Sequence, residues 1–285
     1  MAANNESSPP PLAGNSRPIG VFDSGVGGLT VVSALRRLLP NESIFYLGDT
    51  ARVPYGGKSP TTVQRYSVEI AALLLAENAK TIVVACNTAS ALALPALAHL
   101  PVSVTGVINP GAEAAVTATR NRHIGVIGTR ATIRSGAYEQ ALRNLDPDIR
   151  VTARACPLLV PLIEEGRLQS PITDAVLLEY LEPLLADGID TLVLGCTHYP
   201  LLRPAIARLL GDSITLVDSA ENCATAVREL LRRENLRADE SNAGQLQIAL
   251  TDPPDSFLEI AHQALQLELG TVQLRDVGSL TTTPS

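Results

Sequence analysis

The chain has no close pair of cysteines. Its four, Cys86, Cys156, Cys196 and Cys223, are widely separated along 285 residues. Structural zinc is usually announced by pairs such as C-x2-C, so the spacing argues against a metal site, with Cys196, His198 and Cys86 as the only set worth weighing. A disulfide scaffold is excluded on the same count. Basic excess is also missing: 22 Lys and Arg stand against 29 Asp and Glu, a net charge of −7. Nucleic-acid binders draw affinity from phosphate contacts and carry basic patches. The nearest approach to one, Arg232-Arg233 beside Glu234, reads as a solvated helix face. The N-terminus lacks a basic start followed by an apolar run, so no signal peptide is expected and the cytoplasm is the expected compartment. The 32 residues from Thr81 to Ala112 contain no Asp, Glu, Lys or Arg. That exceeds the ~20 residues needed to span a bilayer. But Asn87, Pro95, His99, Pro101, Asn109 and Pro110 interrupt it. It reads as a buried strand, a loop and a small-residue helix, and no membrane partner is expected.

What is present is apolar and periodic. Hydrophobic residues make up 46% of the chain, enough for a sizeable core. The length suggests two domains. Residues 1–17 are rich in Pro, Asn and Ser and read as a disordered tail, as do residues 279–285. Strands are predicted at Ile19–Phe22, Ile44–Leu47, Thr81–Ala85, Val102–Val107, His123–Ile127, Val151–Ala153, Thr191–Leu194, Ile214–Val217 and Leu246–Leu250. Several are continuous β-branched and Leu runs, which suit strands buried on both faces of a parallel sheet. A helix capped by Ser59, with Pro60 first, is predicted to run to about Asn78. Another covers Ile172–Ala186, and others follow Pro200, Ala220 and Asp255. Alternating strands and helices imply an α/β fold.

Two familiar ligand motifs fail. Gly25-Val26-Gly27-Gly28-Leu29-Thr30 follows a strand and opens a helix, but a dinucleotide fingerprint needs glycine where Thr30 stands. The loop can still offer backbone N–H groups to a small anion. Gly56-Gly57-Lys58-Ser59 lacks the first P-loop glycine, because position 52 is Arg52.

The segments around two cysteines echo each other. Ile82-Val83-Val84-Ala85-Cys86-Asn87-Thr88 parallels Leu192-Val193-Leu194-Gly195-Cys196-Thr197-His198. Each runs from apolar strand to Cys, hydroxyl residue and predicted helix. Ligands of open α/β folds bind at the carboxyl ends of strands. A helix N-terminus there would lower a thiol's pKa. Cys156 and Cys223 lack such polar neighbours and read as buried structural thiols. Inverting an α-carbon needs a base on one face and an acid on the other. Two cysteines at mirrored strand ends meet that need, and the reverse reaction exchanges their roles. Two other readings compete. Cys196 with His198 could form a Cys–His hydrolase pair, leaving Cys86 idle. A non-catalytic amino-acid-binding or zinc-binding protein would use neither thiol chemically.

Asp23-Ser24-Gly25-Val26-Gly27-Gly28-Leu29, Pro54-Tyr55-Gly56, Ala85-Cys86-Asn87-Thr88-Ala89 and Gly195-Cys196-Thr197-His198-Tyr199-Pro200 resemble glutamate racemase motifs, in order and spacing, within the Asp/Glu racemase superfamily. The resemblance covers about Pro18 to Leu267. It implies two pseudo-symmetric α/β domains with mainly parallel sheets flanked by helices and the active site in the cleft between them. The second domain, 109–219, would be inserted into a first made of 18–108 and 220–278. It implies cofactor-independent interconversion of L- and D-glutamate, with no metal and no pyridoxal phosphate, supplying D-glutamate for peptidoglycan synthesis and cell shape, in a homodimer. Cys86 and Cys196 would exchange the proton. Asp23 would assist Cys86, and His198 with Glu164 would assist Cys196, although Glu165 is adjacent. Asp23, Ser24, Tyr55, Gly56, Asn87, Thr88, Thr197 and His198 would hold the substrate. Arg52 reads as a surface ion pair, and Thr129 and Thr132 as further cleft candidates. An aspartate racemase remains the nearest alternative.

Overall fold

The computed structural model describes residues 15–252 and 272–277. The N-terminal tail up to residue 14, the helix expected after Asp255, the end of the resemblance at Leu267 and the tail from 279 lie outside the described residues.

Among the described residues there are ten strands: β1 Ile19–Asp23, β2 Ile44–Gly48, β3 Thr81–Val84, β4 Val104–Gly106, β5 His123–Gly128, β6 Arg150–Ala155, β7 Thr191–Gly195, β8 Thr215–Asp218, β9 Leu246–Leu250 and β10 Val272–Leu274. They alternate with α1 Leu29–Leu38, α2 Pro60–Ala76, α3 Asn87–Leu97, α4 Ile108–Ala118, α5 Arg130–Arg134, α6 Ala137–Leu145, α7 Leu159–Glu164, α8 Pro171–Ala186, α9 Arg203–Leu210 and α10 Ser219–Arg233. The expected α/β class is the observed one. All nine predicted strands are found, β9 with the predicted bounds and the other eight with shifted ends. β4 is shorter than expected, and β10 was not foreseen.

Local chemistry sets the helix starts. Ser59 Oγ accepts the Thr62 N–H at 3.3 Å and Pro60 opens α2. Ser170 caps α8 in the same way, with Pro171 first. α2 stops at Ala76, two residues before the expected end, where Asn78 takes a left-handed conformation (φ 65°).

The strands form two sheets, ordered β10-β9-β2-β1-β3-β4 and β6-β5-β7-β8. Every described pairing is parallel. Within each sheet the four leading strands, in chain order, take the spatial order 2-1-3-4. β3 and β7 are therefore equivalent third strands. β1, β2, β3, β5 and β7 are buried along their whole length, which explains their unbroken apolar runs. Apolar clusters cover both faces of each sheet. Each fully buried Leu, Ile or Val contributes on the order of 1.5–3 kcal/mol, so this layered core fixes the strand ends in place. The charge-free stretch Thr81–Ala112 resolves into β3, α3, β4 and the start of α4. No described helix is long and apolar enough to cross a membrane.

Candidate active site

The carboxyl ends of β1, β3, β5 and β7 converge on one cleft. On the first sheet, β1 ends at the fully buried Asp23. Its Oδ2 accepts the Gly25 N–H at 2.9 Å and its Oδ1 accepts the Thr197 hydroxyl at 3.2 Å. The glycine loop thus wraps around the chain's own carboxylate. That corrects the expectation of N–H groups offered to a free anion: Asp23 already occupies that position. Burial pushes the Asp23 carboxyl above its ordinary range, outweighing the His198 charge and these donors.

Cys86 follows β3 and caps α3, its Sγ 3.5 Å from the Ala89 N–H. The thiol donates to Ser24 Oγ at 3.7 Å. Its pKa is raised, not lowered as the helix start suggested. Burial is the larger cause and the nearby Asp23 carboxyl adds to it; the Ala89 and Ser24 contacts pull the other way and lose. Cys86 is therefore a thiol at neutral pH.

Cys196 follows β7, but no α-helix starts there. A short turn leads into a 3-10 helix at Tyr199–Leu202 and then α9, the helix expected after Pro200; only the helix start expected directly after Cys196 is corrected. What faces this sulfur is an imidazole. His198 Nδ1 lies 3.8 Å from Cys196 Sγ, and its Nε2 lies 3.2 Å from Glu164 Oε1 at the end of α7. Glu164, not Glu165, makes this contact. Burial opposes charge on His198. The hydrogen bonds to Cys196 and Glu164, with the charges of Cys196 and Asp23, overcome it and push the imidazole up to about 10. Gly27 makes room for it: a Cβ at that position would lie 2.4 Å from His198 Nδ1.

Between the sulfurs lies a cavity of about 210 Å³, a size for a small molecule rather than a drug-sized one. Ser24, Tyr55, Gly56, Cys86, Asn87, Thr88, Glu164, Cys196, Thr197 and His198 line it, whereas Asp23 sits beneath and reaches it through Thr197. Some placements qualify the sequence reading. The Tyr55 hydroxyl is committed to Asp49, leaving its ring and backbone to the cleft. Gly56 abuts Thr129, where a Cβ would come within 2.7 Å of the threonine Cβ. Thr88 Oγ1 is 2.9 Å from Thr129 Oγ1 and 3.3 Å from Thr132 Oγ1, so hydroxyls from both sheets meet. Arg52 pairs with Asp49 and Glu69 and stacks 4.0 Å from the Tyr66 ring centroid, as an ion pair and away from the cavity.

Three features went unread in the sequence. Cys156 is fully buried, as expected, yet it also lines the cavity; burial pushes its thiol up to about 12. Among the described residues, Arg130 is the one Arg or Lys that lines the cleft. Val53, Pro54, Pro157, Val160 and Pro161 form an apolar wall. The position of Thr129, one residue beyond β5 as Cys196 is one beyond β7, is the signal that could have placed Arg130. Cys223 lies in the core behind the first sheet.

Among the described residues, no group of three or more His, Cys, Asp or Glu is placed to hold a metal ion. Cys196, His198 and Glu164 alone could serve as nucleophile, base and orienter for acyl transfer. Cys86, at the end of the equivalent strand on the same cavity, adds a second thiol that such a relay does not need.

A family model described as Asp/Glu/Hydantoin racemase matches residues 20–227. A glutamate racemase from Geobacter metallireducens is 49% identical over 257 residues, 90% of this chain and 95% of that one. The solved glutamate racemase isoform RacE1 from Bacillus anthracis superposes with a TM-score of 0.88 at 42% identity, covering 92% of this chain and 98% of that one. A Francisella tularensis glutamate racemase in complex with D-glutamate does so at 0.87 and 36% identity, covering 93% and 99%.

Proposed function

The chain belongs to the Asp/Glu/hydantoin racemase family and is an amino-acid racemase, an isomerase; from that premise we propose that it interconverts L- and D-glutamate with Cys86 and Cys196 as its two proton carriers. The observation that carries this reading is the placement of two thiols at the ends of equivalent third strands, β3 and β7, on one cavity. The relatives of known substrate supply the glutamate assignment.

The sulfurs start in different states. Cys86 begins as thiol, so the part of the initial base falls to Cys196, which faces His198. The Cys196 thiolate takes the α-proton of one enantiomer, and the electron pair of that C–H bond passes into the α-carboxylate. Cys86 delivers its proton to the other face. Cys196 ends as thiol and Cys86 as thiolate, which the opposite enantiomer reverses. Asp23 beneath Ser24 and Cys86, and the His198–Glu164 pair beside Cys196, return each sulfur to its starting state. Fixed donors stabilise the developing charge: Asn87, Thr88, Thr197, Ser24 and backbone N–H groups. No step calls for pyridoxal phosphate or a metal.

The same reading divides the chain at about 108 and 219, so that 109–219 forms a domain inserted into 18–108 and 220–278. Closure of the two would exclude water from a weak carbon acid. It places the enzyme in the cytoplasm, as a homodimer supplying D-glutamate for peptidoglycan. The test is proton NMR and circular dichroism of L-glutamate with the purified protein in heavy water, without added cofactor. Loss of the α-proton signal with decaying ellipticity supports the reading; unchanged glutamate moves it to aspartate, and silence there removes it.

A further inference from the structure

Asn87 is 1% exposed and lines the cavity directly after Cys86. Its Oδ1 accepts the Tyr138 hydroxyl at 2.7 Å. Its Nδ2 is buried and has no hydrogen-bond partner among the described residues. A buried unpaired donor is costly, and proteins rarely leave one without a reason. Asn87 borders the cavity, so a bound carboxylate there is the partner its unpaired N–H₂ group lacks.

Tyr138 comes from the other sheet's layer. It is the second residue of α6, itself 3% exposed. Its ring packs over Gly195, where a Cβ would approach Tyr138 Cε2 to 3.0 Å. One side chain therefore touches the residue before Cys196 with its ring and the residue after Cys86 with its hydroxyl. An asparagine amide can turn over, and one turned over here would aim Oδ1 at an anion and repel it. A tyrosine hydroxyl donating to Oδ1 prevents that.

We propose that Tyr138 is a positioning residue that fixes the Asn87 amide with its N–H₂ group toward the cavity, as a donor to a substrate carboxylate, and does so only while α6 and α3 are held together. The proposal rests on the racemase reading. The ligand chemistry it names is a carboxylate held by a neutral amide rather than by an arginine.

The test is the kinetics of Tyr138→Phe, Asn87→Ala and the double variant with glutamate. Phe keeps the ring over Gly195 and removes only the hydroxyl. kcat/KM is expected to fall about tenfold in Tyr138→Phe, the size of one lost hydrogen bond to a charged group. In the Asn87→Ala background the same change should alter kcat/KM less than about twofold, because its effect runs through Asn87. Wild-type kinetics in Tyr138→Phe, or an equal penalty with and without Asn87, would overturn the proposal; the second result would make Tyr138 a brace for Cys196 alone. If Tyr138→Phe melts below the assay temperature, the readout becomes the wild-type Asn87 side-chain amide resonance, identified by its loss in Asn87→Ala. It must shift when glutamate binds, and an unmoved signal overturns the proposal. A wild-type chain that leaves glutamate unchanged removes the racemase reading and this proposal together. An active wild type beside an unimpaired Tyr138→Phe removes this one alone.

Discussion

Cys86 and Cys196 stand just beyond the third strand of two sheets with the same strand order, yet opposite charges face them. Cys86 looks toward Ser24 and the buried Asp23, and Cys196 toward the imidazole of His198. In the proposed mechanism, topological symmetry with electrostatic asymmetry would let one sulfur begin as acid and the other as base.

On the two-thiol proposal both sulfurs act in every turnover. Cys86→Ser and Cys196→Ser should each lower racemisation by on the order of 10²–10⁴, the span of general acid–base catalysis. Steady-state polarimetry checks this, with melting curves to show that each variant folds. Near-normal rates in either variant would contradict the two-thiol account.

The rate should follow a bell-shaped pH profile. One sulfur must carry a proton and the other must lack one, so either extreme of pH stops turnover; alkali also discharges the His198 imidazolium, a step centred at about 10. Stability should follow the same group. The folded His198 value is raised from 6.5 to about 10, so the bound proton favours the folded state. That contribution is complete below 6.5 and is lost as pH rises through about 10. The melting-temperature gap between wild type and His198→Asn should therefore narrow across that window.

Gly27→Ala should impair catalysis without unfolding the chain. Its Cβ would overlap His198 Nδ1, so the imidazole must move off Cys196. A displacement of about 1 Å costs up to about 10²-fold in rate. Rates with glutamate, set against an unchanged circular dichroism spectrum, test this.

A change at the far end of the strands should do the reverse. Lys80 and Glu42 form a buried ion pair, and Lys80 Nζ also donates to the Asn15 carbonyl at 2.8 Å. Lys80→Ala strands the Glu42 charge, at a cost of about 3–5 kcal/mol. Urea unfolding should report that loss, while kcat/KM of the folded fraction stays near wild type.

How much of this was legible in the sequence depended on distance along the chain. β1, β3 and β7 announced themselves as short apolar runs because both of their faces are covered. Val272–Leu274 carries no such pattern, since it is an edge strand with two of its three residues exposed. The cysteines and their polar neighbours were readable as strand-end motifs. Their ionisation was not. The helix start at Cys86 argued for a lowered pKa, but burial, a property of the packed chain, outweighed it. Likewise the glycine loop resembled an anion cradle, and only folding shows that Asp23 fills it. The link from Tyr138 to Asn87 spans 51 residues and the gap between two sheets, and no local pattern encodes it.

The central claim is that two sulfurs serve opposite faces of one carbon. The most direct test follows the α-hydrogen of L-glutamate and D-glutamate separately at early times in heavy water. The two-thiol account predicts that the product enantiomer carries deuterium from the second sulfur, while recovered substrate keeps its proton, in both directions. Deuterium appearing equally in both enantiomers from the start, or product retaining the substrate's proton, would mean a single shared base and would contradict the account.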